Sequence, residues 1–182
     1  GGLPGGEGLC SWPDPPRLHR IGTRTCFESV DDGGKPEVWV SDGTVESTHL
    51  LRDDDMYTDS WRPRRSTAVV LNGEEQFFLA AADGEHGEEP WMAPAAGGSP
   101  RLLGDLRPGP EPSSPAFLAT AVQHVFFTAD DGAHGGGLWV SGGTPESTFL
   151  LPGPESSDLL ATAALRDVLL FRAGYALWVS NG

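Results

Sequence analysis

The residues most able to do chemistry are carboxylates that recur beside glycines and histidines. They read Asp83-Gly84-Glu85-His86 and Asp130-Asp131-Gly132-Ala133-His134, with a shorter relative at Asp31-Asp32-Gly33-Gly34. One chemistry for such a set is Ca²⁺ binding, which draws six to eight oxygens from carboxylates and loop carbonyls. Asp31, Asp32, Asp83, Asp130 and Asp131 would be the donors. Their spacing does not fit the EF-hand pattern. The plainer chemistry is that of a tight turn, in which the Asp carboxylate accepts from nearby amides and Gly takes a positive φ. His86 and His134 each follow an Asp by three residues. A transition-metal site needs several such ligands converging, so loop packing or capping is the simpler role.

A second candidate is the least repetitive stretch, Arg-Asp-Asp-Asp-Met-Tyr-Thr-Asp-Ser-Trp-Arg-Pro-Arg-Arg at 52–65. Tyr57, Trp61 and Arg62 set aromatic rings among charges. Such a group can stack on a sugar or anchor a protein partner, and binding residues are often carried by loops on a rigid scaffold. The alternative is a solvated linker whose Trp61 folds back on the core. Catalytic signatures are missing: the chain has no Gly-x-Ser-x-Gly elbow, phosphate loop or His-Glu-x-x-His pair. Carboxylate pairs are so common in this acidic chain that counting them does not exclude a glycan-acting enzyme. The reading adopted is non-catalytic, with that enzyme as an alternative.

Charge narrows the partners. Twelve basic and 26 acidic residues give a formal net charge of −14. A field of that sign repels phosphate backbones, which disfavours nucleic acid. No run approaches the roughly 18 apolar residues of a membrane-spanning helix. The segment Gly1–Gly8 has neither the basic start nor the apolar run of an intact signal peptide, so an exported protein would be present here in mature form. Cys10 and Cys26 lie in no Cys-x-x-Cys pair. In an oxidising compartment they could form one disulfide pinning the N-terminal segment to the first strand region; two buried thiols are the alternative.

The elements that must carry these residues are legible as a repeat. Glu37-Val-Trp-Val-Ser-Asp-Gly-Thr44, Gly137-Leu-Trp-Val-Ser-Gly-Gly-Thr144 and Ala176-Leu-Trp-Val-Ser-Asn-Gly182 align, with a weaker copy at 89–97. Trp39, Trp91, Trp139 and Trp178 follow one another at 52, 48 and 39 residues. The agreement extends to Leu50-Leu51, Leu102-Leu103 and Leu150-Leu151, and to Phe77-Phe78 and Phe126-Phe127 upstream. A large flat side chain at one repeated position is the mark of packing between units, so the four tryptophans are read as structural. The 25 glycines and 16 prolines punctuate short apolar runs, which predicts strands and turns rather than helices.

In unit two strands are expected near 67–71, 76–81, 90–94 and 100–104, with an Asn72-Gly73 hairpin. In unit three they are expected near 116–121, 124–129, 137–141 and 148–151. Four antiparallel strands in each 40–50-residue unit point to propeller blades, because one such sheet cannot cover both its own faces. The expected fold is therefore all-β, a β-propeller of about four four-stranded antiparallel blades, or alternatively an open or incomplete repeat array. Residues 1–19 form an N-terminal strap and 20–182 one repeat domain, with units near 20–53, 66–106, 115–152 and 158–182. The fourth unit stops before its fourth strand, and Arg17 to Ile21 of the strap is the expected replacement.

Residues Phe126-Phe-Thr-Ala-Asp-Asp-Gly-Ala-His-Gly-Gly-Gly-Leu-Trp-Val-Ser-Gly-Gly-Thr144, with Glu37–Thr44, resemble the bacterial ELWxxDGT repeat, also called hyalin-like. The resemblance covers about 20–182. It departs at Pro90 and Ala95-Ala96-Gly97 in unit two, and unit four lacks the Asp-Gly-x-His-Gly loop. The family implies export to the cell surface or medium and a propeller-like fold, and it implies no particular reaction. The expected function is a secreted or cell-surface module binding extracellular polysaccharide or protein. The runner-up is a subunit that self-associates into an extracellular filament or sheath.

Overall fold

The computed structural model describes residues 18–30, 36–51, 61–83, 85–121, 123–153, 159–166, 168–173 and 175–181. These residues form an all-β chain of four antiparallel sheets, three of four strands and one of three. The first sheet holds β1 (Leu18–Ile21), β2 (Arg24–Val30), β3 (Pro36–Ser41) and β4 (His49–Leu50). The second holds β5 (Trp61–Leu71), β6 (Glu74–Asp83), β7 (Glu89–Pro94) and β8 (Arg101–Leu102). The third holds β9 (Ala116–Ala121), β10 (His124–Asp130), β11 (Gly136–Ser141) and β12 (Thr148–Leu150), with a single 3₁₀ turn at Pro145–Ser147. The last holds β13 (Leu159–Leu165), β14 (Val168–Ala173) and β15 (Ala176–Ser180). Each is a meander in which strands neighbour in space as they do in sequence. No described helix is long and apolar enough to cross a membrane.

Local chemistry sets these elements. Asn72 and Gly73 both take positive φ, 54° and 81°. That is the backbone of a two-residue hairpin whose twist matches its strands. β6 reads Phe-Phe-Leu-Ala-Ala through its centre and is buried on both sides. A strand covered on both faces becomes a continuous apolar run rather than an alternation.

Two expectations are corrected. Leu18–Ile21 does not complete the last sheet. It turns back through Gly22 (φ 53°) and pairs with β2, placing Leu18 opposite Phe27 and Ile21 opposite Arg24. A short hairpin between neighbours closes with less lost chain entropy than a pairing across the whole molecule. The stretch 61–65, read as loop, forms the start of β5, which is paired with β6 as far as Trp61↔Asp83. The register slips between Pro63 and Arg65, a bulge at a residue that has no N–H to give the ladder.

The sheets pack face to face through three separate cores. Val38 and Val40 of the first sheet meet Phe77, Leu79 and Trp91 of the second. Phe78 and Met92 of the second meet Phe127 and Trp139 of the third. Leu138 and Val140 of the third meet Leu169 and Phe171 of the last. Phe77, Phe126 and Phe127 are wholly buried, and each contributes on the order of 1.5–3 kcal/mol by leaving water. The first strands of successive sheets touch: β1 with β5, β5 with β9, and β9 with β13. All four sheets thus fan outward from one row of first strands.

Candidate binding surface

The repeated Asp-x-x-His loops have the same geometry in two units. Asp83 Oδ1 accepts from the backbone N–H of Glu85 at 3.1 Å and of His86 at 2.9 Å, and the His86 Nδ1 lies 2.9 Å from Oδ2. Asp131 Oδ1 accepts from Ala133 at 2.9 Å and His134 at 2.7 Å, with His134 Nδ1 2.6 Å from Oδ2. These donors hold the Asp131 carboxyl down to about 2, the His134 side chain first among them. Burial pushes the Asp83 carboxyl up, but the His86 and Glu85 bonds outweigh it and leave it below the ordinary value. His86 is raised, chiefly by its bond to Asp83. Asp130 accepts from Gly132 N–H at 2.7 Å and faces Arg107 at 3.6 Å. In both loops the carboxylates accept hydrogen bonds from within their own turn. Among the described residues no three His, Cys, Asp or Glu side chains converge as a metal group. Asp31 and Asp32 lie outside the described residues.

A second repeated turn follows the tryptophan strand. Ser41 Oγ and Thr48 Oγ1 are 2.7 Å apart, and Gly43 N–H donates to Ser41 Oγ at 2.9 Å. Ser141, Thr148 and Gly143 repeat this at 2.8 and 3.0 Å. Unit one adds Asp42, whose carboxylate accepts from Ser47 and Thr44 and is thereby held down to about 2. Gly142 takes that position in unit three, where Ser47's counterpart Ser147 bonds Gly142 and Thr144 directly.

The four tryptophans occupy equivalent register positions, opposite Phe27, Leu79, Phe127 and Phe171. Their surroundings differ. The indole N–H of Trp91 donates to the Ala81 carbonyl at 3.1 Å and that of Trp139 to the Ala129 carbonyl at 3.2 Å, each ten residues back. Trp39 is half-buried and donates to the Glu37 carboxylate instead. Trp178 stacks on Phe171 with centroids 6.1 Å apart and planes 10° from parallel, and it is 40% exposed.

Of the aromatic segment, Tyr57 lies outside the described residues, and Trp61 and Arg62 are described by their backbone alone, as the first two residues of β5. Cys26 is fully buried in the core between the first two sheets; Cys10 lies outside the described residues.

Sequence reasoning missed Glu89. This carboxylate is fully buried at the start of β7. Its Oε2 accepts from Ser113 Oγ at 2.6 Å and Leu106 N–H at 3.1 Å, and its Oε1 accepts from Ser113 N–H at 3.2 Å. It therefore clamps the linker between the second and third sheets. Burial raises its pKa, and the bonds from Ser113 and the linker amides only partly offset this. The one available signal was the linker 105–115 itself, whose partner 17 and 24 residues upstream no local pattern marks. Gln76 and His124, which share a repeat position, also went unnoticed; each keeps a buried polar atom with no hydrogen-bond partner among the described residues.

No protein-family model matches this chain, and no curated protein matches it. Solved structures do. The chain is similar to the computationally designed Ika4 protein, whose crystal structure superposes with a TM-score of 0.53 at 19% identity over 97% of this chain and 98% of that one. It is also similar to part of a structure described in a study of two prolyl endopeptidases, with a TM-score of 0.54 at 12% identity over 86% of this chain. There it spans about a quarter of the other protein's length, 24%. At such identities both likenesses concern the fold alone.

Proposed function

We propose that this chain is a non-catalytic, exported module of four β-propeller-type blades that binds extracellular polysaccharide or a protein surface. The blade reading is supported by the fan of four meander sheets on touching first strands, and by the resemblance to ELWxxDGT repeats. The observation that carries the non-catalytic reading is the engagement of the repeated polar residues. Asp42, Asp83, Asp131, Ser41 and Ser141 all serve turn hydrogen bonds, as scaffold residues do. Ligand contact then falls to the non-repeated stretch, with Tyr57, Trp61 and Arg62 as its aromatic and cationic groups. Calcium, where it takes part, would be drawn by the Asp-Gly loops.

The test is a glycan-array screen of the purified protein in calcium and again in EDTA, with a protein-ligand pull-down alongside. Binding that survives EDTA and falls at least tenfold in Trp61→Ala supports the reading. Binding lost in EDTA moves the site to the Asp-Gly loops. Turnover of any bound glycan, abolished by a single carboxylate substitution, overturns the non-catalytic reading.

A second reading is a subunit that self-associates into an extracellular filament or sheath. It is favoured by exposed apolar side chains on one face of the last sheet, where Leu177 and Val179 are 73% and 63% exposed. Exposed apolar patches mark association surfaces.

A further inference from the structure

We propose that the start of β5, Trp61–Arg65, takes an anionic polysaccharide, one whose sugars carry carboxylate or sulfate groups. The inference rests on the polysaccharide reading above and names the ligand class and the strand that meets it.

Charge is spread unevenly along this chain. Arg62, Arg64 and Arg65 are three of its twelve basic residues, set within four positions of one strand. The acidic run of the preceding segment ends at Asp59, and β5 holds no acidic residue from Trp61 to Leu71. Across the ladder lie Ala80, Ala81 and Ala82, with Asp83 at the last pair, opposite Trp61. Glu89 on β7, opposite Ala81, is buried and accepts from Ser113 and Leu106. The start of β5 is thus a cationic strand in a chain of formal net charge −14. At physiological salt, charges farther than about 8 Å are largely screened. The local arginines therefore set the sign that a ligand meets on contact.

The position in the fold does not demand this charge. Arginine and proline can protect a sheet edge from false pairing, and β5 is an edge strand. Its counterparts β9 and β13 are edge strands too, yet Ala116–Ala121 and Leu159–Leu165 carry no charged residue. The length of β5 is also its own. Ser66 and Phe117 are equivalent, because each pairs with the residue opposite a tryptophan, Leu79 or Phe127. β9 begins one residue before that level, and residues 113–115 ahead of it lie outside any strand. β5 begins five residues before it, so Trp61–Arg64 runs past its neighbour by about 13 Å of strand. The register slips at Arg64, between Pro63 and Arg65, and bulges are common where a strand re-aims a side chain at a site. Pairing with β6 carries this stretch on the sheet itself, where a site is held more precisely than on a loop. The residue types select the ligand. A guanidinium fork matches the oxygens of a carboxylate or sulfate, and an indole gives a flat face on which a sugar ring can stack. A polymer of acidic sugars offers both partners in every repeat.

The experiment is titration of the intact protein with polygalacturonate, dextran sulfate and neutral dextran at about 0.15 M salt. The wild type is expected to bind at least one of the two polyanions and not dextran; the polymer bound identifies the anionic group. Arg62→Gln with Arg64→Gln is expected to weaken that binding at least roughly tenfold. Arg101→Gln with Arg166→Gln makes the same change in net charge at exposed positions elsewhere and should weaken it less than about two-fold. Where the first variant melts without cooperativity, Arg64→Gln alone replaces it. Equal losses in the two variants overturn the site, since the charge of the whole molecule would then carry the binding. Poly-glutamate or single-stranded DNA bound as tightly as the polysaccharide overturns the ligand class. Binding to dextran, or to neutral glycans on the array, with neither polyanion bound leaves the polysaccharide reading standing and overturns the inference. A wild type that binds no glycan of either charge overturns the polysaccharide reading as well.

Discussion

Replacing Glu89 by Ala removes a fully buried carboxylate that holds the linker between the second and third sheets. Three donor contacts end on it, two from Ser113 and one from Leu106. A hydrogen bond to a charged acceptor contributes about 1.5–3 kcal/mol. Ser113 keeps a second acceptor, since its N–H and Oγ also reach the Glu88 carbonyl at 3.1 and 3.2 Å. Leu106 N–H has Glu89 as its one acceptor among the described contacts and takes the larger loss. Against this stands the cost of holding a carboxylate out of water, which is several kcal/mol for an unpaired ion. The balance for Glu89→Ala is a loss of about 2–4 kcal/mol at pH 7, or roughly 5–15 °C in Tm for a domain of this size. The pH dependence has a definite sign. Glu89 titrates above its ordinary 4.5 when folded, so the folded state holds the proton more tightly than the unfolded one. Wild-type stability therefore rises as pH falls from the folded pKa towards 4.5, and the variant lacks that gain. Urea melts at pH 7, 6, 5 and 4.5 should show the gap between wild type and variant widening on acidification, then levelling. A gap under about 1 kcal/mol at pH 7 would refute the clamp, and one that narrows as pH falls would show that the bonds to the carboxylate outweigh its burial.

Three further outcomes follow from the repeats. Trp139→Phe removes the indole bond to the Ala129 carbonyl and should cost about 1–2 kcal/mol; Trp39→Phe, losing a bond to the partly exposed Glu37, should cost less in the same chemical melt. Gly143→Ala forces a methyl to within 2.8 Å of Leu71 at φ 96°, whereas Gly43→Ala at φ 97° meets nothing within 4 Å. Both carry backbone strain of about 1 kcal/mol, and calorimetry should find Gly143→Ala the more destabilised of the two. Asp131 is held near 2 against an ordinary 3.8, so its contribution is present above about pH 4 and lost as pH falls through 2. Acid melts of Asp131→Asn should converge on wild type between those values, and a constant offset there would contradict the loop geometry.

The sequence made the strands readable where a hydrophobic run met a turn that only certain residues can form. Asn72-Gly73 is such a case: two positive φ values in succession need those residue types. The strands of units two and three fall close to where alternation and turns place them, and the last sheet holds three described strands. Pairing partners were less legible. Leu18–Ile21 is an adequate strand for either end of the molecule, and only the Gly22 turn decides that it folds onto β2. The start of β5 was hidden by Pro63 and the charges around it, since an edge strand tolerates both near a bulge. The candidate carboxylates were all visible as residues, but their engagement by amides two and three positions downstream is a property of the folded turn.

The polarity of the sheet contacts explains why one repeated sequence gives four tryptophans in three different settings. Within a series of like sheets, an inner tryptophan is covered by the sheet before it and completed by the fourth strand of its own sheet. Trp91 and Trp139 have both, and both bury the ring and satisfy the indole N–H on a backbone carbonyl. Trp39 has its fourth strand, β4, and no preceding sheet among the described residues, and its N–H bonds a side chain. Trp178 has a preceding sheet, which buries Phe171, and no fourth strand among the described residues, and its ring is exposed. Burial at this position is therefore set by neighbours rather than by the local sequence, as expected of an array whose units cannot cover themselves.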